Sequence, residues 1–227
     1  MKQPIFISLE GSYSNLEISL YQGFDIIEKF EEDNLRASSL LIPKIKNLLQ
    51  DNSLDLKDLD FIAVNQGPGA FTSLRVVITI VNALAFANKI PLIGIDGLDA
   101  LYFKTQDKTD STNIVVILNA YNNDVYYAFN KDGNLEKGYK NIDLLLLELK
   151  DLYQNQDVVF VGNAYKLHKE IISQELNSSF LNMEVPSADQ IATMALERWV
   201  KNNKDVSYKL TPLYLKSQIF VTKSKKN

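Results

Sequence analysis

The chain has 227 residues, a formal net charge of −4, and hydrophobic and charged fractions of 46% and 23%; this is the balance of a folded globular protein and excludes a disordered chain or a fibrous repeat. It contains no cysteine, which removes disulfides, thiolate zinc sites and a cysteine nucleophile from its chemistry. The acidic balance argues against a protein that grips nucleic acid by itself, because neutralising phosphates takes a concentrated basic surface.

Behind Met1-Lys2-Gln3-Pro4, the apolar run Ile5 to Leu9 is too short for a signal-peptide core or a membrane span. A cytoplasmic protein without membrane contact is therefore expected. Pro4 to Leu9 reads as a strand. After the turn-like Gly11-Ser12-Tyr13-Ser14, the segment Asn15 to Leu20 alternates Leu16, Ile18 and Leu20 against Asn15, Glu17 and Ser19, which predicts a hairpin with one wet face. Phe24 to Phe30 adds a third strand. Leu40 to Leu49 carries a helical stripe of Leu41, Ile45 and Leu48, with Pro43 at its first turn or kinking it.

Asp60 to Asn65 predicts a buried strand that runs through Gln66-Gly67-Pro68-Gly69-Ala70 into a helix from Phe71 to Ala87. Pro91 to Ile95 is a strand and Asp96 to Phe103 a short helix. Thr105 to Asn113 is the one polar connector long enough for a domain boundary, and the pattern restarts beyond it. Strands are expected at Ile114 to Leu118, Val125 to Phe129, near Leu135 and at Val158 to Val161. Helices are expected from about Ile142 to Tyr153 and Tyr165 to Leu176, and from Ile191 to Val200 after the start signal Ser187-Ala188-Asp189. Lys223, Lys225 and Lys226 lie in a tail expected to be solvated. Two units of meander plus α/β crossovers point to a duplicated α/β fold.

Gly67-Pro68-Gly69-Ala70-Phe71-Thr72 permits two readings. Glycines that take positive φ around a proline can turn the chain off a strand into a helix whose free N–H groups hold an anion, with Gly67, Gly69, Thr72 and Ser73 as its candidates. The same run also serves as a tight strand-to-helix turn with Thr72 near the cap.

The run Gln66 to Arg75 resembles the Gly-Pro-Gly-(Ser/Ala)-Phe-Thr-Gly-(Leu/Val)-Arg signature of the TsaB (YeaZ) family, with Ser73 at the usual glycine. The similarity spans nearly the whole chain. Ile5 to Leu20 resembles the family's opening hairpin, with Glu10 and Gly11 replacing Asp-Thr before Ser12. Leu41-Ile42-Pro43 and Leu48-Leu49 resemble its first helix, with Ala37 in place of a histidine. Asn119-Ala120-Tyr121, followed by Asp124-Val125-Tyr126, stands where the family has Asp-Ala-Arg…Glu-Val-Tyr. Gly162-Asn163, Pro186-Ser187-Ala188 and Pro212-Leu213-Tyr214-Leu215-Lys216 complete the match.

The resemblance implies an actin/hexokinase-like (ASKHA) duplicated, ribonuclease-H-like fold with two subdomains. Residues 1–106 plus 187–227 would form the first, with a returning C-terminal helix, and residues 107–186 the second. It implies a non-catalytic subunit of the machinery that makes N6-threonylcarbamoyladenosine (t6A) in transfer RNA. Such a subunit pairs with a TsaD-like transferase, reaches a TsaE-like ATPase through the complex, is a homodimer or a monomer when alone, and meets transfer RNA only indirectly. No cofactor is implied beyond a nucleotide at the partner interface.

The side chains agree. The single histidine, His168, sits among Lys166, Lys169 and Glu170 and reads as a solvated residue without histidine or cysteine partners for a metal. Glu10, Asp25, Asp60 and Asp96 are the acidic candidates for the alternative, a sugar or acyl phosphotransferase. That reading needs a second glycine-rich phosphate loop, which the sequence lacks around Asn119 to Asn123.

The helix from Phe71 is apolar on nearly every side. At about 100° per residue, Leu74, Val77, Ile78, Val81 and Ala85 line one face. Thr72, Val76, Ile80, Ala83 and Ala87 line the other. The bulkier face is assigned to the core and the smaller-residue face to a helix of a partner subunit; the competing cover is the late helix Ile191 to Val200.

Overall fold

Apolar alternation over the first thirty residues produces β1 (Ile5–Glu10), β2 (Leu16–Gln22) and β3 (Asp25–Glu32), an antiparallel meander in which Ile5 lies opposite Gln22 and Glu10 opposite Glu17. The computed structural model describes residues 3–33, 37–201 and 207–216; the tail lysines Lys223, Lys225 and Lys226 lie outside the described residues. α1 (Ala37–Asp51) begins three residues before its expected start and runs through Pro43, which sits on the exposed side. A single 3-10 turn (Leu56–Asp58), not foreseen in the sequence, precedes β4 (Phe61–Gly67), which adds parallel to β1. α2 (Phe71–Asn88), β5 (Leu92–Asp96) and α3 (Gly97–Gln106) complete the first half.

The second half repeats this plan with β6 (Ile114–Asn119), β7 (Asp124–Lys131), β8 (Asn134–Asn141), α4 (Ile142–Leu152), β9 (Val158–Val161), α5 (Ala164–Glu175) and the short β10 (Ser178–Phe180). The sheet orders are β3-β2-β1-β4-β5 and, read from the matching edge, β8-β7-β6-β9-β10. The duplicated α/β, two-subdomain architecture is thus present at the level of strand order. β10 escaped the sequence reading because three residues, none fully buried, leave no periodicity to detect.

Each sheet buries a separate core. α1 and α2 cover one face of the first sheet, packing Leu41, Ile45, Leu74, Val77 and Val81 on Ile7, Leu9, Ile18 and Val64. α6 (Ala188–Lys201) covers the opposite face, where the Phe6 ring stacks on Phe61 at 4.3 Å and Phe61 on Trp199 at 4.8 Å. This corrects the wet-faced hairpin expected for β2. Glu17 and Ser19 are buried beneath α6, and Glu17 accepts the amide of Ala188 at 2.8 Å, so a carboxylate occupies the positive end of that helix. α3 wedges between the halves, with Leu98, Leu101 and Tyr102 against Ile114, Val116 and Leu118.

Residues 207–216 run as a strap from the first sheet to the second. Ser207 bridges Leu92. Leu210 exchanges both backbone groups with the Asn82 amide at 2.8 Å, and Leu213 donates to the Gln66 carbonyl at 2.8 Å.

Candidate functional site

β4 is buried up to Asn65, and its departure from the sheet defines the site. Gly67 takes a φ of 113° before a cis peptide to Pro68, a conformation side chains rarely adopt. A Cβ on Gly69 would sit 2.6 Å from the Ser12 carbonyl, so the loop passes against the β1–β2 turn with no room for a side chain. The Ala70 amide donates to that same carbonyl at 2.8 Å, and Ala70 is the N-cap of α2 without a side-chain cap bond.

Glu10, at the end of β1, lies behind this loop with no solvent exposure. Its Oε1 accepts the Ser12 amide at 2.7 Å and the Ser12 hydroxyl at 2.6 Å, and its Oε2 accepts the Asn65 amide group at 2.5 Å. Asn65 Oδ1 in turn accepts the Gly67 amide at 2.8 Å. Burial pushes the Glu10 carboxyl up to about 7, against the pull of the three hydrogen bonds.

Of the four anion-site candidates, Gly67 and Gly69 are therefore packed against protein. The Gly67 amide already serves Asn65, while Thr72 is exposed and Ser73 half-buried on the first turn of α2. The buried face of α2 is Leu74, Val77, Ile78, Val81 and Ala85, residue for residue the face assigned to the core. On the other side Thr72, Ala83 and Ala87 are exposed, whereas Val76 and Ile80 are half-buried and Ile80 packs against the first core. α6 does not cover this side, because it lies across the opposite face of the sheet. Sequence reasoning omitted Phe86, which is 86% exposed on the outer side of α2. Its helical angle, between Arg75 and Thr79 on the wheel, was the available signal.

The acidic candidates have structural employment. Asp60 accepts the Ile5 amide at 2.8 Å. Asp96 caps α3 through the Leu98 amide at 2.9 Å and, with Asp99, pairs Lys137 of the second half at 2.7 Å. Asp25 is exposed at the start of β3. His168 is half-buried rather than solvated, on α5 near the first turn of α4, and burial lowers its pKa against the opposing charge of Asp143. Among the described residues no three His, Asp or Glu side chains come together as a metal-ligand set.

The second-half counterpart of the β1–β2 turn is Asn119 to Asp124. Tyr121, Asn122 and Asn123 take φ values of 61°, 57° and 60°, the region asparagine tolerates and tyrosine rarely enters. The Asn119 side chain accepts the Tyr121 backbone amide at 2.8 Å, and the Asn119 backbone N–H donates to Asn163 Oδ1 at 2.8 Å. The halves meet here. The Tyr13 hydroxyl donates to the Asn119 carbonyl at 2.9 Å, and Lys216 donates to Asp124 at 2.8 Å and to the Ala120 carbonyl at 3.2 Å. Tyr214 packs on Phe71 at 5.7 Å, and the Arg75 guanidinium lies 4.8 Å from the Phe71 ring.

The family model described as TsaD, tRNA N6-adenosine threonylcarbamoyltransferase, matches residues 36–219. A tRNA threonylcarbamoyladenosine biosynthesis protein TsaB of Buchnera aphidicola subsp. Schizaphis graminum is 31% identical over 71% of this chain and 80% of its own length. The protein of the same name from Buchnera aphidicola subsp. Acyrthosiphon pisum is 24% identical over 94% of this chain and 98% of its own. Among solved structures, YeaZ from Pseudomonas aeruginosa superposes with a TM-score of 0.72 at 19% identity, covering 93% of this chain and all of that one.

Proposed function

The chain belongs to the TsaB (YeaZ) family, within the wider group matched by the threonylcarbamoyltransferase model, and on that premise we propose that it takes part in t6A biosynthesis as a non-catalytic subunit supporting a TsaD-like transferase. The observation that carries the partner role is the outer side of α2. Thr72, Thr79, Ala83, Phe86 and Ala87 form an exposed strip on an 18-residue helix, bordered by exposed Arg75 on one side and by half-buried Val76 and Ile80 on the other. Small residues beside one large aromatic ring suit close approach of a partner helix with Phe86 as its anchor.

The non-catalytic reading is supported by Glu10. A carboxylate that would hold a phosphate-bound cation has to reach one, and Glu10 is sealed behind the loop with its lone pairs directed at Ser12 and Asn65. The phosphotransferase alternative has no observation in its favour. A TsaE-like ATPase and transfer RNA enter through the complex in this reading, and a homodimer uses the same α2 strip when the partner is missing.

The test is mutational. Ala83→Lys and Phe86→Asp leave circular dichroism and melting close to native but abolish co-elution with a TsaD-like transferase in size-exclusion chromatography. Val77→Lys, on the buried face, places an unpaired charge in the core and unfolds the chain. Ile80→Lys is a poorer probe, because its half-buried side chain mixes the two effects. If the Ala83 and Phe86 variants fold and pair normally, the α2 interface is wrong.

A further inference from the structure

The Glu10 carboxyl joins three segments: the end of β1, the β1–β2 turn and the end of β4, where the β4–α2 loop begins. Each of its donors is tied onward. Ser12, which gives Glu10 its amide and hydroxyl, offers its carbonyl to Ala70; Asn65, which gives its amino group, offers its Oδ1 to Gly67. One carboxylate therefore fixes both ends of the Gly67 to Ala70 loop. Among the described residues no cation pairs with it. The titratable groups acting around it are Glu17 on β2, of the same sign, and the Tyr13 hydroxyl in the turn, which is itself raised by burial.

A neutral acid in this place meets donors where the carboxylate met them as an acceptor. A proton on Oε2 faces the Asn65 amino group. Asn65 answers only by rotating its amide, which turns Nδ2 toward the Gly67 N–H and breaks that bond. A proton on Oε1 goes to the Ser12 hydroxyl oxygen, so the Ser12 hydroxyl hydrogen, buried with its residue, loses its acceptor and the Ser12 amide faces a weaker one. The first arrangement breaks the Gly67 tie; the second weakens the hold on Ser12, whose carbonyl receives the Ala70 amide. Opposing this, the carboxylate is fully buried without a counter-ion among the described residues.

We propose that Glu10 is a proton switch of the β4–α2 loop: as the carboxylate it ties the Gly67 and Ala70 ends together, and as the neutral acid it releases one of those ties. The balance of burial against hydrogen bonds places the transition at about 7, so the loop that launches α2 responds to proton concentration near neutrality. The isolated chain suffices for the test, which is independent of any partner.

In a sample labelled at the glutamate side-chain carboxyl carbon and the backbone nitrogens, the Glu10 carboxyl resonance titrates across the neutral range with a single midpoint near 7. The amide resonances of Ser12, Gly67 and Ala70 shift with the same midpoint. In Glu10→Gln, which cannot lose a proton, those amides stop responding to pH and stay displaced from their alkaline wild-type positions. A carboxyl that holds one state across this range overturns the proposal, as does one that titrates while the three amides stay still. The wild-type titration decides the matter even if the variant fails to fold.

Discussion

The two halves of the molecule share a strand order and differ where their first strands end. β1 and β6 are six residues each, and both stop at a polar residue that organises the following turn: Glu10 in one half, Asn119 in the other. Glu10 is buried, charged or neutral by a narrow margin, and controls a glycine loop from behind. Asn119 is uncharged and accepts one amide of a turn whose three left-handed residues are tyrosine and asparagine, not glycine. The same topology thus supports a proton-sensitive junction and an inert one bridged by Tyr13 and Lys216. What separates them is the side chain at one strand end and the room its neighbours leave.

The sharpest way to break this comparison is steric. A Cβ on Gly162 would lie 2.0 Å from the Ile117 carbonyl oxygen, at a φ of 106°. Gly162→Ala therefore costs more than about 3 kcal/mol, or prevents folding, because backbone has to move. Gly69→Ala meets the Ser12 carbonyl at 2.6 Å without a positive φ and costs about 2 kcal/mol. Urea denaturation of the two variants orders them. If Gly69→Ala is the worse, the first-half junction is the tighter one and the comparison reverses.

Sequence patterning carried the fold further than the site. The buried face of α2 was identified correctly because, of two apolar faces, the bulkier one removes more surface from water when it fills the core. The polar face of β2 did not survive, since Glu17 and Ser19 are covered by a helix about 170 residues later in the chain, a pairing invisible to local alternation. At the site, the glycine loop was legible from residue type alone. The role of Glu10 was not, because whether a carboxylate holds a metal or a loop depends on where its lone pairs point. The strap was missed as well: Pro212 to Lys216 was noticed as a similarity, but nothing local shows that Lys216 reaches Asp124.

Titration gives the second test. Glu10 ordinarily titrates near 4.5 and is raised to about 7 in the folded chain, with burial as the main cause. A raised folded value means that the folded state holds the proton more tightly. The contribution is fully present below about 4.5 and is lost as pH rises through about 7, by up to about 3 kcal/mol. Asn119 in the second half imposes no such term. The stability of wild type minus that of Glu10→Gln, measured by urea denaturation, therefore falls between pH 6 and pH 8. A difference that rises instead means the carboxylate is the favoured form, and the contrast between the two strand ends loses its electrostatic part.

The smallest effect sits at the bridge between the halves. Lys216 pairs with Asp124 at side-chain exposures of 29% and 20%, so solvent screens the pair and its removal costs about 1 kcal/mol. Lys216 also donates to the Ala120 carbonyl and lies 5.2 Å from the Tyr139 ring, while Tyr214 keeps its own hold on Phe71. Lys216→Ala thus removes the polar ties of the strap to the second half, leaving Leu215 packed there and the first-half anchors at Asn82 and Gln66 in place. Melting falls by about 2–4 °C, and amide exchange quickens in the Asn119 to Asp124 turn but not in the Gly67 to Ala70 loop. Equal quickening of both would mean that the strap couples the halves as one unit. Quickening of the turn alone means that the inert junction is held from outside and the glycine loop from within.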